Sequence, residues 1–122
     1  MSGTGAAEPP AETIGYDDFR KVEVRVGTVV KTEPYPEARA PAIKVWVDFG
    51  EAIGVRKASA QLTVHYTPDG LIGRQVAAVV NFPPKQIGKF MSEILILGFP
   101  DAEGAVVLAV PDRPVPNGAR MF

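Results

Sequence analysis

The stretch Val79–Leu95, VVNFPPKQIGKFMSEIL, places a polar and basic loop between two apolar runs. Two apolar β-branched residues run into Asn81, and Pro83-Pro84 then ends the strand because proline cannot donate a ladder hydrogen bond. A short loop of polar and basic residues follows, and Ser92-Glu93 opens a second apolar run. Two buried strands therefore bring polar and basic groups to one end of a sheet, where loops held by a rigid scaffold commonly bind ligands.

Alternation of apolar and polar residues predicts strands on both sides of this stretch. Val22, Val24 and Val26 share one face of the first strand, and Gly27 predicts a bulge or bend before the strand continues through 28–31. The other predicted strands span residues 43–49, 55–62, 75–80, 94–99 and 105–110. In the strand 43–49, Lys44, Trp46 and Asp48 share the polar face.

Turn-forming residues predict what joins the strands. A short helical turn is expected at Ile14–Phe19, with Asp17 or Asp18 as its cap, and three prolines predict a loop at Pro34–Pro41. Pro68, Gly70 and Gly73 limit the segment 64–73 to one helical turn. The tail 111–122 should be extended and rich in turns.

Short strands separated by turns predict an all-β fold. The bent first strand and the single helical insertion between strands three and four favour an OB-fold, a five-stranded Greek-key barrel, here with an extra C-terminal strand and short helical turns. Residues 1–13 are small and polar, so we expect a disordered tail. Residues 14–122 should form one domain that ends in a C-terminal dimerisation extension.

The fifth predicted strand is apolar on both faces. Ile94 and Ile96 lie on one side, and Leu95, Leu97 and Phe99 lie on the other. A sheet with one wet face should not be apolar on both sides. Either the C-terminal tail or a second subunit must cover the extra face, and we expect a homodimer because symmetric dimers are the commonest oligomers.

The composition argues against several classes of functional site. The chain has no cysteine, and its one histidine, His65, cannot form a recognisable zinc site. No catalytic motif is visible, and Asp17-Asp18 beside a tail is a poor place for catalytic geometry. We expect no enzyme activity, no cofactor and no metal. No apolar run approaches ~20 residues and no signal peptide is visible, so a cytoplasmic protein without membrane insertion is expected.

The net charge of −1 conceals an uneven distribution. Residues 20–89 hold eleven Lys and Arg against six Asp and Glu, whereas the rest holds two against eight. A positive middle between acidic ends is compatible with a basic binding face, although charges also fluctuate along any chain.

Several segments together resemble the tRNA-binding domain of bacterial tRNA-binding proteins, which is also fused to some aminoacyl-tRNA synthetases. They are 18–27 (DFRKVEVRVG), 36–39 (PEAR), 47–50 (VDFG), 59–62 (SAQL), 80–88 (VNFPPKQIG), 92–93 (SE) and 114–118 (PVPNG). The chain is most similar to the CsaA group, small bacterial members described as secretion-related chaperones. The resemblance covers residues 14–122 and implies an OB-fold homodimer, tRNA binding and a peptide-binding chaperone role in protein export.

An RNA site needs cations for phosphates and amide or hydroxyl groups for bases and 2′-hydroxyls. The candidates on strands two and three, the face with which OB-folds bind, are Lys44, Lys57, Ser59 and Gln61. The candidates around the central loop and the first strand are Arg25, Asn81, Lys85, Gln86, Lys89 and Ser92.

Each candidate has a structural alternative. Asn81 and Ser92 are equally suited to satisfying backbone groups, and Glu93 to pairing with Arg25 or a lysine. Trp46 can stack on a base or pack against protein. Lys85 and Lys89 can be ordinary solvated charges.

A second hypothesis is a chaperone that binds unfolded or preprotein peptides, with RNA binding weak or absent. Large apolar residues in loops and on second faces make adhesive patches. The candidates are Phe82, Phe90, Met91 and Phe99. The alternative is that the dimer buries all four.

Overall fold

The computed structural model describes residues 7–122, so the first six residues of the predicted tail lie outside it. Residues 7–13 are exposed and belong to no helix or strand. The elements of the described chain are α1 Tyr16–Lys21, β1 Val24–Tyr35, β2 Ala42–Asp48, β3 Val55–Ala60, α2 Pro68–Leu71, β4 Gln75–Val79, β5 Lys85–Ile87, β6 Phe90–Ser92, β7 Leu95–Ile96, β8 Gly98–Pro100 and β9 Val106–Leu108.

Five strands form one antiparallel sheet in the order β3-β2-β1-β4-β7. The sheet curls into a half-barrel, and the segment after β6 bonds to the free edge of β3, where Glu93 N donates to Lys57 O at 2.7 Å. The predicted OB-type barrel is therefore confirmed. Two small hairpins, β5–β6 and β8–β9, extend it.

The alternation of β2 builds the core. Ile43, Val45, Val47 and Phe49 are each at most 1% exposed. Their partners come from β1, β3, β4 and α2, where Val29, Ala58, Val76 and Leu71 are buried. The polar face of β2 predicted from the same alternation is half-buried, and it supports the site described below.

Gly27 has a different role from the one its position in the strand predicted. The register shift in β1 lies between Val29 and Lys31, not at Gly27. A Cβ at Gly27 would lie 2.8 Å from the Asp48 carbonyl oxygen and within 3 Å of the Val47 and Phe49 side chains. Glycine is required there because β1 crosses β2 too closely for a side chain.

Four predicted boundaries are wrong. Pro34 and Tyr35 belong to β1 rather than to a loop, because they pair with Ile43 and Ala42. The polar loop 85–92 is the hairpin β5–β6, turned by Gly88 at a φ of 62°. The predicted strand 94–99 is divided into β7, which pairs with β4, and β8, which pairs with β9. The last strand is shorter than predicted, at 106–108.

The two helices are short, as the sequence predicted. In α1 the cap position is Gly15, and Asp18 accepts a hydrogen bond from its N–H at 3.1 Å, so the predicted aspartate caps from inside the first turn. In α2 the Thr67 hydroxyl accepts from Gly70 N at 3.1 Å. Within residues 7–122, neither helix is long and apolar enough to cross a membrane.

The far side of the sheet is apolar and partly open. Val24, Ala77, Val79 and Leu97 form a second cluster there, and Leu95 beside it remains 49% exposed. We call these five residues the outer apolar face. The C-terminal segment lies along β1, with Met121 N donating to Val24 O at 2.9 Å, and it lines a cleft of about 360 Å³ against this face. The tail therefore covers part of the face, and exposed apolar area remains.

Candidate nucleic-acid interface

One side of β1, β2 and β3 presents lysines and aromatic rings together. Lys31, Trp46 and Lys57 lie opposite one another across three adjacent strands, and Lys44 lies two residues from Trp46 on the same side. Tyr35 and Phe90 pack beside them. We call the following set the basic-aromatic face: Lys31, Tyr35, Lys44, Trp46, Lys57 and Phe90.

The three rings form a packed cluster with Phe90 at its centre. The Phe90 ring centroid lies 5.9 Å from that of Tyr35 and 5.9 Å from that of Trp46, the latter in an edge-on arrangement. Phe90 is 8% exposed and Tyr35 is 5% exposed. The expectation that Phe90 offers an exposed peptide contact is therefore wrong for this chain, because the β5–β6 hairpin folds back over the sheet.

A hydrogen bond fixes the hairpin in that position. The Tyr35 hydroxyl donates to the Ile87 carbonyl at 2.7 Å. Gly88 follows, and a Cβ there would lie 2.5 Å from the Tyr35 hydroxyl oxygen. The positive φ and this close approach both require glycine at the turn.

Each of the three lysine ammonium groups lies over an aromatic ring. Lys31 Nζ is 4.5 Å from the Trp46 ring centroid, and Lys44 Nζ is 4.5 Å from that of Tyr35. Lys57 Nζ is 5.0 Å from the Phe90 centroid. Cation–π contacts at exposed sites contribute about 0.5–1 kcal/mol each. The rings therefore hold three positive charges above a rigid platform, in a geometry suited to phosphate groups.

Two members of this face were missed by sequence reasoning. Lys31 follows the register shift in β1, and the shift sets which side of the sheet its side chain occupies. Tyr35 was assigned to a proline-rich loop. The signal that could have placed Tyr35 in the strand is the long run from Val24 to Tyr35, which contains a single proline, next to its last residue.

Ser59 and Gln61 lie at the end of β3, next to the basic-aromatic face. Ser59 pairs with Lys44 across the strands. With Phe82, Lys85 and Ser92, these two residues line a shallow groove of about 460 Å³. The structure thus brings together five of the side chains that the sequence nominated for RNA or peptide contacts.

Ser92 and Glu93 have structural bonds inside the barrel. Ser59 N donates to Ser92 Oγ at 3.1 Å, and Ser92 is 9% exposed. Lys57 N donates to Glu93 Oε1 at 3.1 Å. Glu93 therefore bonds to the backbone of β3 rather than to Arg25 or a lysine side chain, and both residues fasten β6 to the sheet.

Asn81 and Arg25 are placed away from the lysines. Asn81 Oδ1 accepts from Glu23 N at 2.9 Å, and its Nδ2 donates to Lys21 O at 2.8 Å. Arg25 pairs with Glu23 at 2.6 Å and donates to Gly118 O at 3.0 Å. Both side chains stabilise the backbone where β1 begins, and RNA contacts by either remain predictions.

The β5–β6 hairpin carries the remaining candidates. Lys85 and Lys89 are exposed, and neither forms an ion pair within the part of the chain that the structure describes. Gln86 Nε2 donates to Gly88 O at 3.0 Å within the turn. Met91 is 40% exposed on the outer side of the hairpin.

His65 belongs to a structural contact. Its Nε2 lies 2.6 Å from Asp101 Oδ2, and Asp101 Oδ1 accepts from Glu103 N and Ala105 N at 2.9 Å. The bond to His65, followed by these two backbone bonds, lowers the pKa of Asp101 below its ordinary 3.8. In residues 7–122 no three His, Asp or Glu side chains are grouped so as to hold a metal ion.

A curled antiparallel half-barrel with cations and aromatic rings on strands two and three is typical of the OB-type nucleic-acid-binding modules. Comparison with known families makes this specific. Residues 24–120 match the family described as a putative tRNA binding domain, and the chain belongs to this family.

Two solved structures that are similar to this chain are those of CsaA chaperones. Chaperone CsaA of Bacillus anthracis is 46% identical, with a TM-score of 0.84 over 91% of this chain and 100% of that one. The CsaA chaperone of Picrophilus torridus is 43% identical, with a TM-score of 0.83 over 90% and 100%. The resemblance to the CsaA group stated from sequence is confirmed.

A much larger relative contains a region similar to this chain. The methionine–tRNA ligase of Porphyromonas gingivalis is 35% identical over 115 residues, which are 94% of this chain and 16% of the ligase. This chain therefore spans about a sixth of the curated relatives that it matches.

Proposed function

We propose that this chain binds tRNA through the basic-aromatic face and acts, without catalysis, as a CsaA-like chaperone in protein export in the cytoplasm. The observation that carries the RNA part is a set of lysine ammonium groups held over three packed rings, of which Lys44 and Lys57 form no ion pair within residues 7–122. Membership of the tRNA-binding domain family supports the choice of tRNA. The similarity to the CsaA chaperones supports the chaperone role.

The chemistry of the face suits a phosphate backbone. Lysines that neutralise phosphates release counterions, which makes binding strong at low salt and weak at high salt. Lys44 and Lys57 flank the centre of the face, and Lys85 and Lys89 continue the positive charge onto the hairpin. Gln61 and Gln86 are exposed amides at its margin, where bases or 2′-hydroxyls are accessible.

The second candidate function is peptide binding with weak or absent RNA binding. The observation that favours it is the exposure of large apolar side chains on the hairpins and on the loop between β4 and β5. Phe82 is 48% exposed, Met91 is 40% exposed and Phe99 is 65% exposed. Phe82 borders the groove that contains Ser59 and Gln61, so peptide and RNA would meet neighbouring surfaces.

A homodimer forms part of the proposal. The outer apolar face keeps exposed area beside a cleft that the C-terminal segment lines, and Phe122 at its end is 94% exposed. The helix α1 has no buried residue in a single chain. A second copy seated on this side would cover apolar surface that is otherwise left in water.

The two functions can be separated with one variant. Lys85→Glu/Lys89→Glu should abolish tRNA binding, because four units of charge change beside the phosphate path. The variant should still keep an unfolded polypeptide from aggregating, as measured by light scattering. The matched control is Lys21→Glu/Arg113→Glu, which makes the same charge change on exposed residues of α1 and the C-terminal segment. If tRNA binding by the hairpin variant equals that of wild type, the hairpin has no part in the site.

A further inference from the structure

One carboxylate lies among the lysines of the basic-aromatic face. Glu33 Oε2 is 3.3 Å from Lys31 Nζ, and the two side chains are 46% and 58% exposed. Glu33 lies two residues beyond Lys31 on β1, and it pairs in register with Lys44. A negative charge therefore stands between two of the three ring-bound lysines.

This carboxylate makes Lys31 different from its neighbours. The Lys31 ammonium has two partners, the Glu33 carboxylate and the Trp46 ring at 4.5 Å. Lys44 and Lys57 have ring contacts, and within residues 7–122 neither forms an ion pair. Two lysines are thus available to an anion, whereas the third is already neutralised.

Resting on the RNA-binding function proposed above, we propose that Glu33 is a specificity-determining residue of this face. It withholds Lys31 from phosphate binding and keeps that lysine over the indole of Trp46. The RNA backbone is then confined to Lys44, Lys57 and the hairpin lysines. On the β1 side of the face, a neutral ion pair stands where a cation would otherwise be, and the Trp46 ring is covered by Lys31.

Charge and geometry, rather than stability, account for this role. Exposed ion pairs such as Lys31–Glu33 contribute little to folding. A phosphate at the position of Lys31 would lie within one Debye length, about 8 Å at physiological salt, of the Glu33 carboxylate. Removal of the carboxylate should therefore leave the fold unchanged and add one cation to the phosphate-binding set.

The experiment is a double-mutant cycle on the full chain. Glu33→Gln, Lys31→Gln and the double variant are titrated with bulk tRNA at about 50 and 200 mM salt. Glu103→Gln removes the same charge from the exposed β8–β9 turn and serves as the matched control.

Glu33→Gln should bind tRNA about three- to tenfold more tightly at low salt, and the ratio of its affinities at the two salt concentrations should rise about threefold, as one added phosphate contact requires. Lys31→Gln should bind no more tightly than wild type, because it leaves the Glu33 carboxylate without its partner, and the double variant should lose the gain. A gain that persists in the double variant, or an equal gain in Glu103→Gln, would show an effect of net charge alone and overturn the proposal.

The single tryptophan gives a second readout that requires no RNA. Acrylamide should quench Trp46 fluorescence more strongly in Glu33→Gln than in wild type, because Lys31 is no longer held over the ring. Unchanged quenching and unchanged tRNA affinity would together refute the role of Glu33. If wild type binds no tRNA at low salt, the proposed function itself fails, which is a separate outcome.

Discussion

The basic-aromatic face and the outer apolar face lie on the same curled sheet but differ in how their apolar side chains are used. On the first, Tyr35 and Phe90 are buried under lysines, so the rings hold charges in place. On the second, Leu95 is 49% exposed, and Phe122, which lines the adjoining cleft, is 94% exposed. This difference is the basis of our proposal that the basic-aromatic face binds a charged ligand and that the outer apolar face binds an apolar partner.

Among the tests of this comparison, the largest effect is expected from reversing charges on the first face. Lys44→Glu/Lys57→Glu should weaken tRNA binding on the order of a hundredfold at low salt, because two phosphate contacts become repulsive. Self-association, measured by analytical ultracentrifugation, should not change. A variant that binds tRNA normally would remove the distinction between the two faces.

A smaller effect is expected from a charge on the other face. Met121→Asp places a carboxylate beside the 360 Å³ cleft, where Met121 is 46% exposed. If a second copy covers this side, the dimer dissociation constant should rise about tenfold or more, since one anchoring side chain is lost. The tRNA affinity per chain should stay within about threefold. An unchanged dimer would place the seam elsewhere.

The third prediction concerns the ring that the sequence left undecided. Trp46→Leu keeps apolar volume but removes the indole face. Because Lys31 covers that face, tRNA affinity should fall less than about threefold, whereas loss of a stacked base would cost about 1–3 kcal/mol. A tenfold loss with an unchanged melting temperature would show that Trp46 stacks on a base.

The smallest effect concerns the hairpin that carries Phe99. Because the folded-state pKa of Asp101 is lowered below 3.8, its carboxylate adds stability above the unfolded-state pKa. That contribution is lost as pH falls through the folded pKa. Wild type should therefore melt at a higher temperature than Asp101→Asn above about pH 5, and the difference should disappear as pH falls below about 4. Glu103→Gln is the control, and a difference that persists at low pH would contradict the assignment.

Local patterns were sufficient to predict much of the fold. The alternation from Ile43 to Phe49 gave both the core and the polar face of β2. Pro68, Gly70 and Gly73 limited the segment 64–73 to one helical turn. These features depend on neighbours in sequence, so they can be read from short segments.

The site was harder to predict because its contacts join distant segments. Phe90 reaches Tyr35 only after the hairpin folds over the sheet, which is why it was assigned to an exposed patch. Asn81 and Ser92 have the polarity of binding residues, but the backbone groups that they satisfy lie 58 and 33 residues away, at Glu23 and Ser59. Whether Lys31 faces the site depends on the register shift between Val29 and Lys31 in β1. The residue composition of the strand does not show where such a shift occurs.

The most direct test of the central claim is a titration of the wild-type chain with bulk tRNA between about 50 and 200 mM salt. If the basic-aromatic face binds phosphates, affinity should be micromolar or tighter at low salt and should fall along a straight line in a plot of log affinity against log salt. No binding at low salt, or binding that salt does not weaken, would contradict the RNA assignment and favour the peptide-binding chaperone.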